Sequence, residues 1–600
     1  MRFVAYLLFP LVALAAPSGE AVYLRRCSIC HEQTTDRIPP RGALQKMPSA
    51  RILRALNSGA MMAIAFTMSG EDRKAVASYL GTDAAISGPP PAAFCADRNI
   101  KLATNPKTAW NGWSPGENNG GNNARFQTAD AAKLSLEQVR GLKLKWAFGF
   151  DGDVTAFAPP TVIDGQVFVG SAAGLIHAMR AETGCLQWVF QANGPVRSSI
   201  VMAPAGNRHA LLFGDMTGWF YSVEAESGKL LWKVQVETHD STRLTGGPAV
   251  LGDTVYVPVA SWEETRASDA GYACCTFRGS VVALRIRDGS PLWKTYMTDV
   301  PVENGASPRG TPNWGPSGVG VWSAPTVDAK RKLLYVATGD NYSKPATDLS
   351  DAVVALDITT GRIVWSRQLT EADVYSGACA TCGPDFDFGS STILTHATDG
   401  RELLLAGQKS GIVWALDPAM KGEVVWQTRV GVGGTNGGVQ WGMATDGQRV
   451  FAAVSDIKRL RQTNQADPRR SLLDPNTGGG LTALRVADGK QEWQVAPTPC
   501  PAGAPLGCSP SQPGAVTAIP GAVFATSTDG HIRAHATEDG RLLWDFNTMR
   551  DFETVNGVKG RGGSIDGPGA VVVNGMVFIS SGYPRNGGVP GNVLLAFGRE

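Results

Sequence analysis

Two thiols and an imidazole near the start of the chain have the spacing that attaches a c-type haem. In the run Cys27-Ser28-Ile29-Cys30-His31, the two cysteines can bond both vinyl groups of the porphyrin, and the adjacent histidine can ligate the iron. A zinc site would need a second pair of cysteines or histidines, and none follows in this region of the sequence. The motif therefore predicts covalently bound haem c.

A second cysteine pair, Cys274 and Cys275, is adjacent in the sequence. A bond between the two would close a small, stiff ring, and strained backbone of this kind gathers at functional sites. Adjacent cysteines are usually too close for easy closure, so each could instead pair elsewhere or stay free. The pair alone leaves these alternatives open.

Three polar insertions later in the chain carry carboxylates that a repeating β fold does not need. They are Arg243-Leu244-Thr245 with Ser261-Trp262-Glu263-Glu264, Gly320-Val321-Trp322 with Thr338-Gly339-Asp340-Asn341, and Gly383-Pro384-Asp385-Phe386-Asp387-Phe388-Gly389. A single aspartate at a strand end is more often a turn cap. Several carboxylates on one face would repel unless a cation held them, and oxygen ligands favour a hard ion such as Ca²⁺.

A repeating unit must position these insertions. Short apolar runs, a turn such as Thr-Gly or Asp-Gly, and a strand with a tryptophan recur between residues 142 and 600. The tryptophans are Trp146, Trp188, Trp232, Trp293, Trp365, Trp426, Trp493 and Trp544. Their spacing fits four-stranded blades with variable loops. The pattern predicts a mainly β protein with an eight-bladed β-propeller, in which these tryptophans pack between blades.

Each end of the repeat region contains only part of a blade, and the two parts complement each other. The first tryptophan has no full blade before it, and the last unit, from Val571 to Phe597, has strands but no tryptophan. Pairing these ends would complete one blade and remove the exposed sheet edges. We therefore expect the propeller to close through its two termini.

The region before the propeller reads as a small all-α domain. The segment from Ser49 to Leu80 predicts two amphipathic helices, the second capped by Ser69. With the haem motif, it resembles a small class I cytochrome c, in which a methionine is the sixth iron ligand. Met61 best fits this resemblance, Met62 is the alternative, and Met47 and Met68 are further candidates.

The start of the chain predicts export. Arg2 precedes the apolar run from Phe3 to Ala16, which is too short to span a bilayer and contains a small-residue cleavage pattern. We expect a signal peptide at residues 1–15, a cytochrome c domain at 16–90, a linker and lead-in segment at 91–141, and the propeller at 142–600. These features predict a periplasmic protein without a membrane span, and the net charge of +2 argues against a nucleic-acid partner.

The motifs together resemble a known enzyme family. The propeller, the cysteine pair before Arg278-Gly279, the segment Trp110-Asn111-Gly112-Trp113 and the three insertions are similar to those of the alcohol dehydrogenases that depend on pyrroloquinoline quinone (PQQ). A haem domain fused to this propeller resembles the quinohaemoproteins. Haem at the N-terminal end is similar to the polyvinyl alcohol dehydrogenases.

The resemblance implies a cofactor site at the polar insertions. The planar quinone would lie between a Cys274–Cys275 disulfide and the indole of Trp322. Lys409 would hydrogen-bond the quinone oxygens. The other implied contacts around the ring are Thr245, Arg278, Gln440 and Trp441.

The same resemblance implies a calcium site and a base. Glu263 or its neighbour Glu264 would hold the ion, together with Asp340 or its neighbour Asn341, and with Asp385 close by. Asp385 would be the general base that takes the alcohol proton, with Asp387 as the alternative.

The implied activity is the PQQ- and calcium-dependent oxidation of secondary hydroxyls to ketones. The expected substrate is polyvinyl alcohol or a similar polyol. Hydride would pass to PQQ and electrons through haem c to a soluble cytochrome c. The alternatives are a quinohaemoprotein dehydrogenase for small alcohols, and a haem-tethered propeller scaffold without catalysis.

The remaining cysteines are expected to form structural disulfides. Cys379 with Cys382, and Cys500 with Cys508, resemble local loop clips, which leaves Cys95 to pair with Cys185. A redox role for the first clip would need a thioredoxin-like surrounding, which the sequence does not show.

Overall fold

The structure is a computed structural model, and its chain divides into two compact units, residues 1–88 and 89–600. It describes residues 18–32, 38–57, 61–65, 68–84, 88–103, 108–115, 121–307, 309–379, 381–461 and 471–599. The expected signal peptide at residues 1–15 lies outside the described residues. Among the helices of the described part, none combines the length and the apolar character needed to cross a membrane.

The first unit is helical. Its helices are Gly19–Arg26, Ser28–His31, Arg41–Leu44, Ser49–Asn57, Met62–Ala65 and Gly70–Leu80. The apolar faces of these short helices enclose one small core, in which Tyr23 and Val76 are fully buried. The hydroxyl of Ser69 accepts the N–H of Asp72 at 3.0 Å, which confirms the expected cap.

The second unit is the eight-bladed propeller that the sequence predicts. Each blade is an antiparallel sheet of four strands, which follow one another from the axis outward. Blades 1 to 4 are Thr161–Ile163, Gln166–Gly170, Leu175–Arg180 and Leu186–Gln191; Val201–Ala205, Arg208–Gly214, Trp219–Glu224 and Leu230–Gln235; Ala249–Leu251, Thr254–Ser261, Ser280–Arg285 and Pro291–Tyr296; and Thr326–Asp328, Leu333–Ala337, Ala352–Asp357 and Ile363–Gln368.

Blades 5 to 8 repeat this order. They are Ile393–His396, Glu402–Gly407, Ile412–Asp417 and Glu423–Arg429; Ala444–Thr445, Arg449–Val454, Gly480–Arg485 and Gln491–Val495; Thr517–Ile519, Ala522–Thr526, His531–Ala536 and Leu542–Asn547; and Val571–Val573, Met576–Ser581, Val593–Gly598 and Lys143–Gly149. The outer strand of blade 8 is therefore the first full strand of the propeller, which confirms closure through the two ends.

Shorter elements decorate the blades. Two-residue strands Ala109–Trp110 and Thr242–Arg243 pair with blades 1 and 3. The remaining two-stranded ribbons are Val302–Ala306 with Pro312–Gly315, Ser317–Gly318 with Asn341–Ser343, Arg459–Arg461 with Ser471–Leu473, and Asp551–Phe552 with Gly560–Arg561. The helices are Ala129–Ala132, Leu136–Arg140 and Glu263–Arg266, with 3-10 turns at Pro91–Ala93 and Arg585–Gly587.

The repeat tryptophans join each blade to the next. Trp188, for example, donates its indole N–H to the carbonyl of Ala225 at 3.0 Å. Its ring lies against Gly228, where a Cβ would be 2.7 Å from the indole and where φ is +72°. Only glycine satisfies both conditions. The Thr-Gly and Asp-Gly turns thus form docking points, and the expected inter-blade packing is confirmed.

The lead-in segment runs along the innermost strands. Its backbone carbonyls accept N–H groups from blades 4, 5, 6 and 7. The pairs are Gly121 with Val327, Asn122 with Leu394, Ala124 with Thr445, and Arg125 with Ala518, at 2.7 to 3.1 Å. These bonds tie neighbouring inner strands to one continuous piece of chain.

Arg125 reinforces this connection with its side chain. The guanidinium is buried and donates to the carbonyls of Trp113 at 2.6 Å, Val516 at 2.7 Å and Pro568 at 2.8 Å. A buried cation of this kind is tolerated because backbone oxygens surround it. It links the lead-in segment to blades 7 and 8.

The disulfides agree with the expected pairs. Cys95 bonds to Cys185, which ties the start of the second unit to blade 1. The other bonds are Cys274–Cys275, Cys379–Cys382 and Cys500–Cys508.

Candidate active site

The blade topology brings the polar insertions to one end of the propeller. In an antiparallel blade, the start of the first strand and the ends of the second and fourth strands lie at the same end. Glu263, Glu264, Asp340 and Lys409 follow second strands, and Thr245, Trp322, Asp385 and Trp441 precede first strands. Blades 3 to 6 therefore present all these residues at one end.

Three of the predicted carboxylates form a buried cluster. Oxygens of Asp340, Asp385 and Asp387 lie within 4.8 Å of one another. Oδ1 of Asp340 and Oδ2 of Asp385 have no hydrogen-bond partner among the described residues. Buried carboxylate oxygens are costly without a partner, so these two are available to a cation or a substrate.

A single lysine partly neutralises the cluster. The Nζ of Lys409 lies 2.6 Å from Oδ1 of Asp385 and 3.1 Å from Oδ2 of Asp387. Its side chain is 5% exposed, and it lies 5.7 Å from the centroid of the Trp322 ring. Burial alone would lower the pKa of Lys409, but the carboxylates raise it well above its usual value, so the ammonium stays charged.

The carboxylates of the cluster differ in acidity. Burial raises the pKa of Asp385 well above its usual value, despite the nearby ammonium, and burial likewise raises that of Asp340. For Asp387, burial is outweighed by the charge of Lys409 and by the N–H of Asp340 at 3.0 Å, so its pKa is lowered. Asp387 is therefore the more acidic of the two carboxyl groups that contact Lys409.

Glu263 is used by the loop that follows the vicinal disulfide. Its fully buried carboxylate accepts the N–H of Thr276 at 2.8 Å and of Phe277 at 2.7 Å. It also accepts the hydroxyl of Tyr272 at 2.8 Å, and Nε2 of His239 lies 3.4 Å away. Oε1 thus faces the first, third and fourth of these groups, and Oε2 accepts the N–H of Phe277.

Glu264 is the glutamate whose charge reaches the cluster. It is partly exposed, and its charge contributes to the raised pKa values of Asp340 and Asp385. Glu264 thus acts electrostatically on the cluster, whereas Glu263 is hydrogen-bonded to the loop, and the choice between them at the cation site stays a prediction.

Asp340 and Asn341, the other pair of alternatives at the cation site, have different partners, and the choice between them stays a prediction. The Nδ2 of Asn341 donates to the carbonyl of Ser317 at 3.1 Å, and its Oδ1 accepts the N–H of Thr347 at 2.8 Å. This amide serves the local ribbon. Asp340, by contrast, keeps Oδ1 in the cluster while its Oδ2 accepts the N–H of Tyr375 at 3.1 Å.

The vicinal disulfide lies in an apolar cluster beside the acidic one. Backbone bonds join Cys275 N–H to the carbonyl of Trp314 at 3.1 Å and Trp314 N–H to the carbonyl of Cys274 at 2.7 Å. The same apolar cluster contains Phe277 and Tyr342, and burial and the nearby carboxylates raise the pKa of Tyr342. The bond is confirmed, and its stacking role stays a prediction.

Trp322 is fixed on three sides. Its ring fills the space beside Gly389, where a Cβ would be 1.9 Å from the indole. Its Nε1 donates to Oδ2 of Asp387 at 3.0 Å, and its edge meets Trp441 with ring centroids 5.2 Å apart. The indole is thus held in place without a ligand.

A pocket adjoins this indole. Thr245, Trp322, Trp441 and Arg197 are among the residues that line it. The guanidinium of Arg197 lies 4.0 Å from the centroid of the Trp441 ring and has no hydrogen-bond partner among the described residues. The sequence-based prediction missed this arginine because no motif surrounds it.

Arg278, which the resemblance places at the quinone, has partners within blade 3, and its contact with the quinone stays a prediction. The guanidinium of Arg278 donates to the carbonyl of Thr298 at 3.0 and 2.8 Å and stacks on Tyr296. It therefore serves blade 3 itself. Gln440 is also engaged, since its Oε1 accepts a hydrogen bond from Arg585 at 3.1 Å.

Two buried aspartates near the cluster were not expected. Asp373 accepts the backbone N–H of Asp385 at 3.2 Å and of Phe386 at 2.8 Å. Asp351 is fully buried, and neither of its carboxylate oxygens has a partner among the described residues. Neither residue belongs to a recognisable spacing, so only the fold reveals them.

The haem motif of the first unit is arranged for ligation. Cys27 and Cys30 are unbridged and half-buried. Nδ1 of His31 lies 2.7 Å from the carbonyl of Pro39, which can only accept, so Nδ1 carries the proton. This bond fixes the ring and leaves Nε2 for iron.

The sixth iron ligand stays a prediction. Met61 is partly buried and packs against the core of the first unit. The side chain of Met62 lies outside the described residues, and Met68 is buried in the same core beside the Ser69 cap.

Three family profiles match the sequence. The propeller domain described as glucose/ethanol/alcohol dehydrogenase matches residues 117–429, and the outer membrane assembly factor BamB matches residues 278–591. The cbb3-type cytochrome c oxidase subunit III profile matches residues 14–80, the region that contains the haem motif.

Similar proteins cover almost the whole chain. A polyvinylalcohol dehydrogenase from a Pseudomonas species is 38% identical over 99% of this chain and 97% of its own length. Another from Sphingopyxis sp. (strain 113P3) is 36% identical over 96% and 92%. The quinohemoprotein alcohol dehydrogenase structure from Comamonas testosteroni has a TM-score of 0.59 at 17% identity, covering 82% of this chain and 81% of that one, and supports the fold.

Replacing Glu263 by a neutral amide should lower the stability of the fold, whereas the same change at Glu264 should not. Burial alone would raise the pKa of Glu263, but the bonds from His239 and two backbone N–H groups lower it. Its ionised form therefore stabilises the fold above the ordinary glutamate pKa of about 4.3, and this stabilisation is lost as acid protonates it. We expect Glu263→Gln to lower the free energy of unfolding by about 1–3 kcal/mol at neutral pH, and by less in acid.

Glu264→Gln is the matched control. Burial raises the pKa of Glu264, so a neutral amide at this position should not destabilise the metal-free protein. The measurement is thermal unfolding by circular dichroism across a series of pH values. Equal losses in the two variants would contradict the different environments of the two carboxylates.

Proposed function

The chain belongs to the family of PQQ-dependent alcohol dehydrogenases, and we propose that it oxidises the secondary hydroxyls of polyvinyl alcohol or a similar polyol to ketones. The family membership makes it an oxidoreductase that uses PQQ and haem c. The observation that carries the proposal is the unpartnered Oδ2 of buried Asp385 beside the Lys409 ammonium. The choice of polymer follows the two full-length relatives.

The residues present fit a flat, polyanionic quinone. The fixed indole of Trp322 offers a stacking surface, and the Cys274–Cys275 disulfide is the expected opposite wall. Arg197 offers a guanidinium without a hydrogen-bond partner among the described residues, and Thr245 a hydroxyl, in the cavity beside the indole. Carboxylate groups on the ligand would supply the missing partner of the arginine.

The residues also fit a hard cation. Asp340 and Asp385 each have one buried oxygen without a described partner, and Glu264 lies near enough to influence both. All these ligands are oxygen atoms, as Ca²⁺ prefers. We propose that Glu264 and Asp340 hold this ion, with Asp385 close by.

Asp385 acts as the base at its Oδ2 atom. Burial raises the pKa of this carboxyl, and a bound cation together with Lys409 would favour its ionised form. Oδ2 would then take the hydroxyl proton, and PQQ, when bound and polarised by the cation, would supply the acceptor for the hydride of the carbinol carbon. Buried surroundings exclude water from this step.

Lys409 orients both carboxylates and retains one proton for a ligand. Two of its three N–H bonds point to Asp385 and Asp387. The third can donate to an oxygen of the quinone and stabilise negative charge there. The Trp322 indole holds Asp387, so the lysine is fixed from both sides.

The haem motif would carry the electrons onward. Alcohol oxidation releases two electrons, whereas haem iron accepts one at a time. We propose that electrons leave through the haem held by Cys27, Cys30 and His31 to a soluble cytochrome c. Export to the periplasm, expected from residues 1–15, would provide the compartment in which such haem attachment and disulfides form.

A substrate comparison tests the proposed activity. The haem-containing protein is loaded with PQQ and Ca²⁺, and dye reduction is followed with polyvinyl alcohol, short secondary alcohols and short primary alcohols. We expect the polymer to give the highest kcat/KM per hydroxyl. Equal efficiency with short alcohols would favour the small-alcohol alternative, and no turnover with any alcohol would reject the enzyme function.

Replacement of the base separates binding from chemistry. We expect Asp385→Asn to bind quinone, as followed by its absorbance, but to lose at least about a hundredfold in kcat. Asp328→Asn is the control, because this buried carboxylate pairs with Arg331 and Tyr335 within blade 4. Normal turnover by the Asp385 variant would exclude it as the base.

The excess of carboxylates over ammonium groups predicts that the site prefers a trivalent cation to a divalent one. Glu264, Asp340, Asp385 and Asp387 face one ammonium, so a trivalent lanthanide ion of similar size should bind more tightly than Ca²⁺, by about tenfold or more. Calorimetric titration of chelator-treated protein measures both affinities, and Asp387→Asn should reduce the difference. Equal affinities for the two ions would contradict the proposed ligand set.

A further inference from the structure

A second carboxylate holds the backbone of the proposed base. Asp385 has φ of +59°, a left-handed conformation that non-glycine residues rarely adopt. The two oxygens of Asp373 accept the N–H of Asp385 at 3.2 Å and the N–H of Phe386 at 2.8 Å. Asp373 is fully buried, so these bonds are protected from water. They compensate for the unfavourable backbone conformation at the base.

Asp373 is itself fixed to the cation side of the cluster. Its carbonyl accepts the N–H of Asn341 at 3.4 Å, and Tyr375 N–H contacts the Asn341 carbonyl at 2.8 Å. Tyr375 N–H also lies 3.1 Å from Oδ2 of Asp340. One end of this segment therefore runs beside Asp340, and its carboxylate reaches Asp385.

The segment between Asp373 and Asp385 is held by a disulfide and by a backbone hydrogen bond. The Cys379–Cys382 disulfide clips it, and Gly377 donates its N–H to the backbone carbonyl of Glu264 at 2.8 Å. At Gly383 a Cβ would be 2.1 Å from Oδ1 of Asp373. The segment thus contacts each of the residues proposed to hold the cation.

We propose that Asp373 is a positioning residue that fixes the carboxylate of Asp385 relative to Asp340, and that it acts on turnover through this geometry. The proposal rests on the proposed role of Asp385 as the base. A displacement of about 1 Å in a reacting group can cost about a hundredfold in rate. Both carboxylate oxygens of Asp373 accept backbone N–H groups of Asp385 and Phe386, so its effect must pass through Asp385.

The test is Asp373→Asn in the quinone-loaded protein. The amide keeps one acceptor but turns an NH₂ group toward the other backbone N–H. We expect kcat to fall by about tenfold to a hundredfold, while KM for the alcohol and the quinone affinity change by less than about twofold. A general loss of structure would instead lower kcat and the quinone affinity and raise KM.

Asp215→Asn is the matched control. Asp215 is fully buried and accepts the N–H of Gly194 at 2.9 Å and of Thr217 at 2.8 Å, between blades 1 and 2. This variant should lose similar thermal stability and keep its kcat. If Asp373→Asn does not fold, Gly383→Ala presses on the same carboxylate from the other side and should give the same loss of kcat.

Combining substitutions separates the two proposals. If Asp373 acts through Asp385, then Asp373→Asn should add no further loss in the Asp385→Asn background. Unchanged kcat in Asp373→Asn or Gly383→Ala, with Asp385→Asn inactive, would overturn the positioning role alone. An active Asp385→Asn variant would instead overturn the proposed base.

Discussion

The site depends on the two ion pairs that the buried ammonium of Lys409 forms with Asp385 and Asp387. Charges taken out of water are stabilised only when partners are close and well aligned. In this cluster one cation faces several carboxylates, so Asp340 and Asp385 keep buried oxygens without described partners. The lysine offsets part of the carboxylate charge, and the proposed cation would supply partners for the remaining oxygens.

The carboxylates of the cluster repel one another, so the structure around them must be rigid. These carboxylates belong to the neighbouring blades 3, 4 and 5, and the distance between the blades therefore sets the distance between the charges. Seven of the eight repeat tryptophans meet a glycine in the next blade with almost no free space, as Trp188 does with Gly228. The lead-in segment adds hydrogen bonds to successive inner strands. The architecture therefore resists the separation that repulsion would otherwise cause.

Features defined by local spacing could be predicted from the sequence. The haem motif, the eight tryptophans, the ring closure and the disulfide pairs depend on short patterns or on repetition. Features that depend on contacts between distant segments could not. Arg197 reaches the cavity from the start of blade 2, and Asp373 reaches the base from beyond a disulfide clip, and neither lies in a distinctive run. The hydrogen bonds between the lead-in segment and the inner strands could not be predicted either, because they are made by backbone carbonyls, which every residue has.

The two adjacent glutamates show why a one-residue ambiguity matters. They begin the short helix Glu263–Arg266, and successive helical residues point about 100° apart, since a turn takes about 3.6 residues. Glu263 therefore turns to the backbone after the vicinal disulfide, while Glu264 influences the acidic cluster. A single turn of helix thereby connects the two parts of the site. One carboxylate holds the disulfide loop in place, and the next contributes charge where a cation is needed, so neither can replace the other.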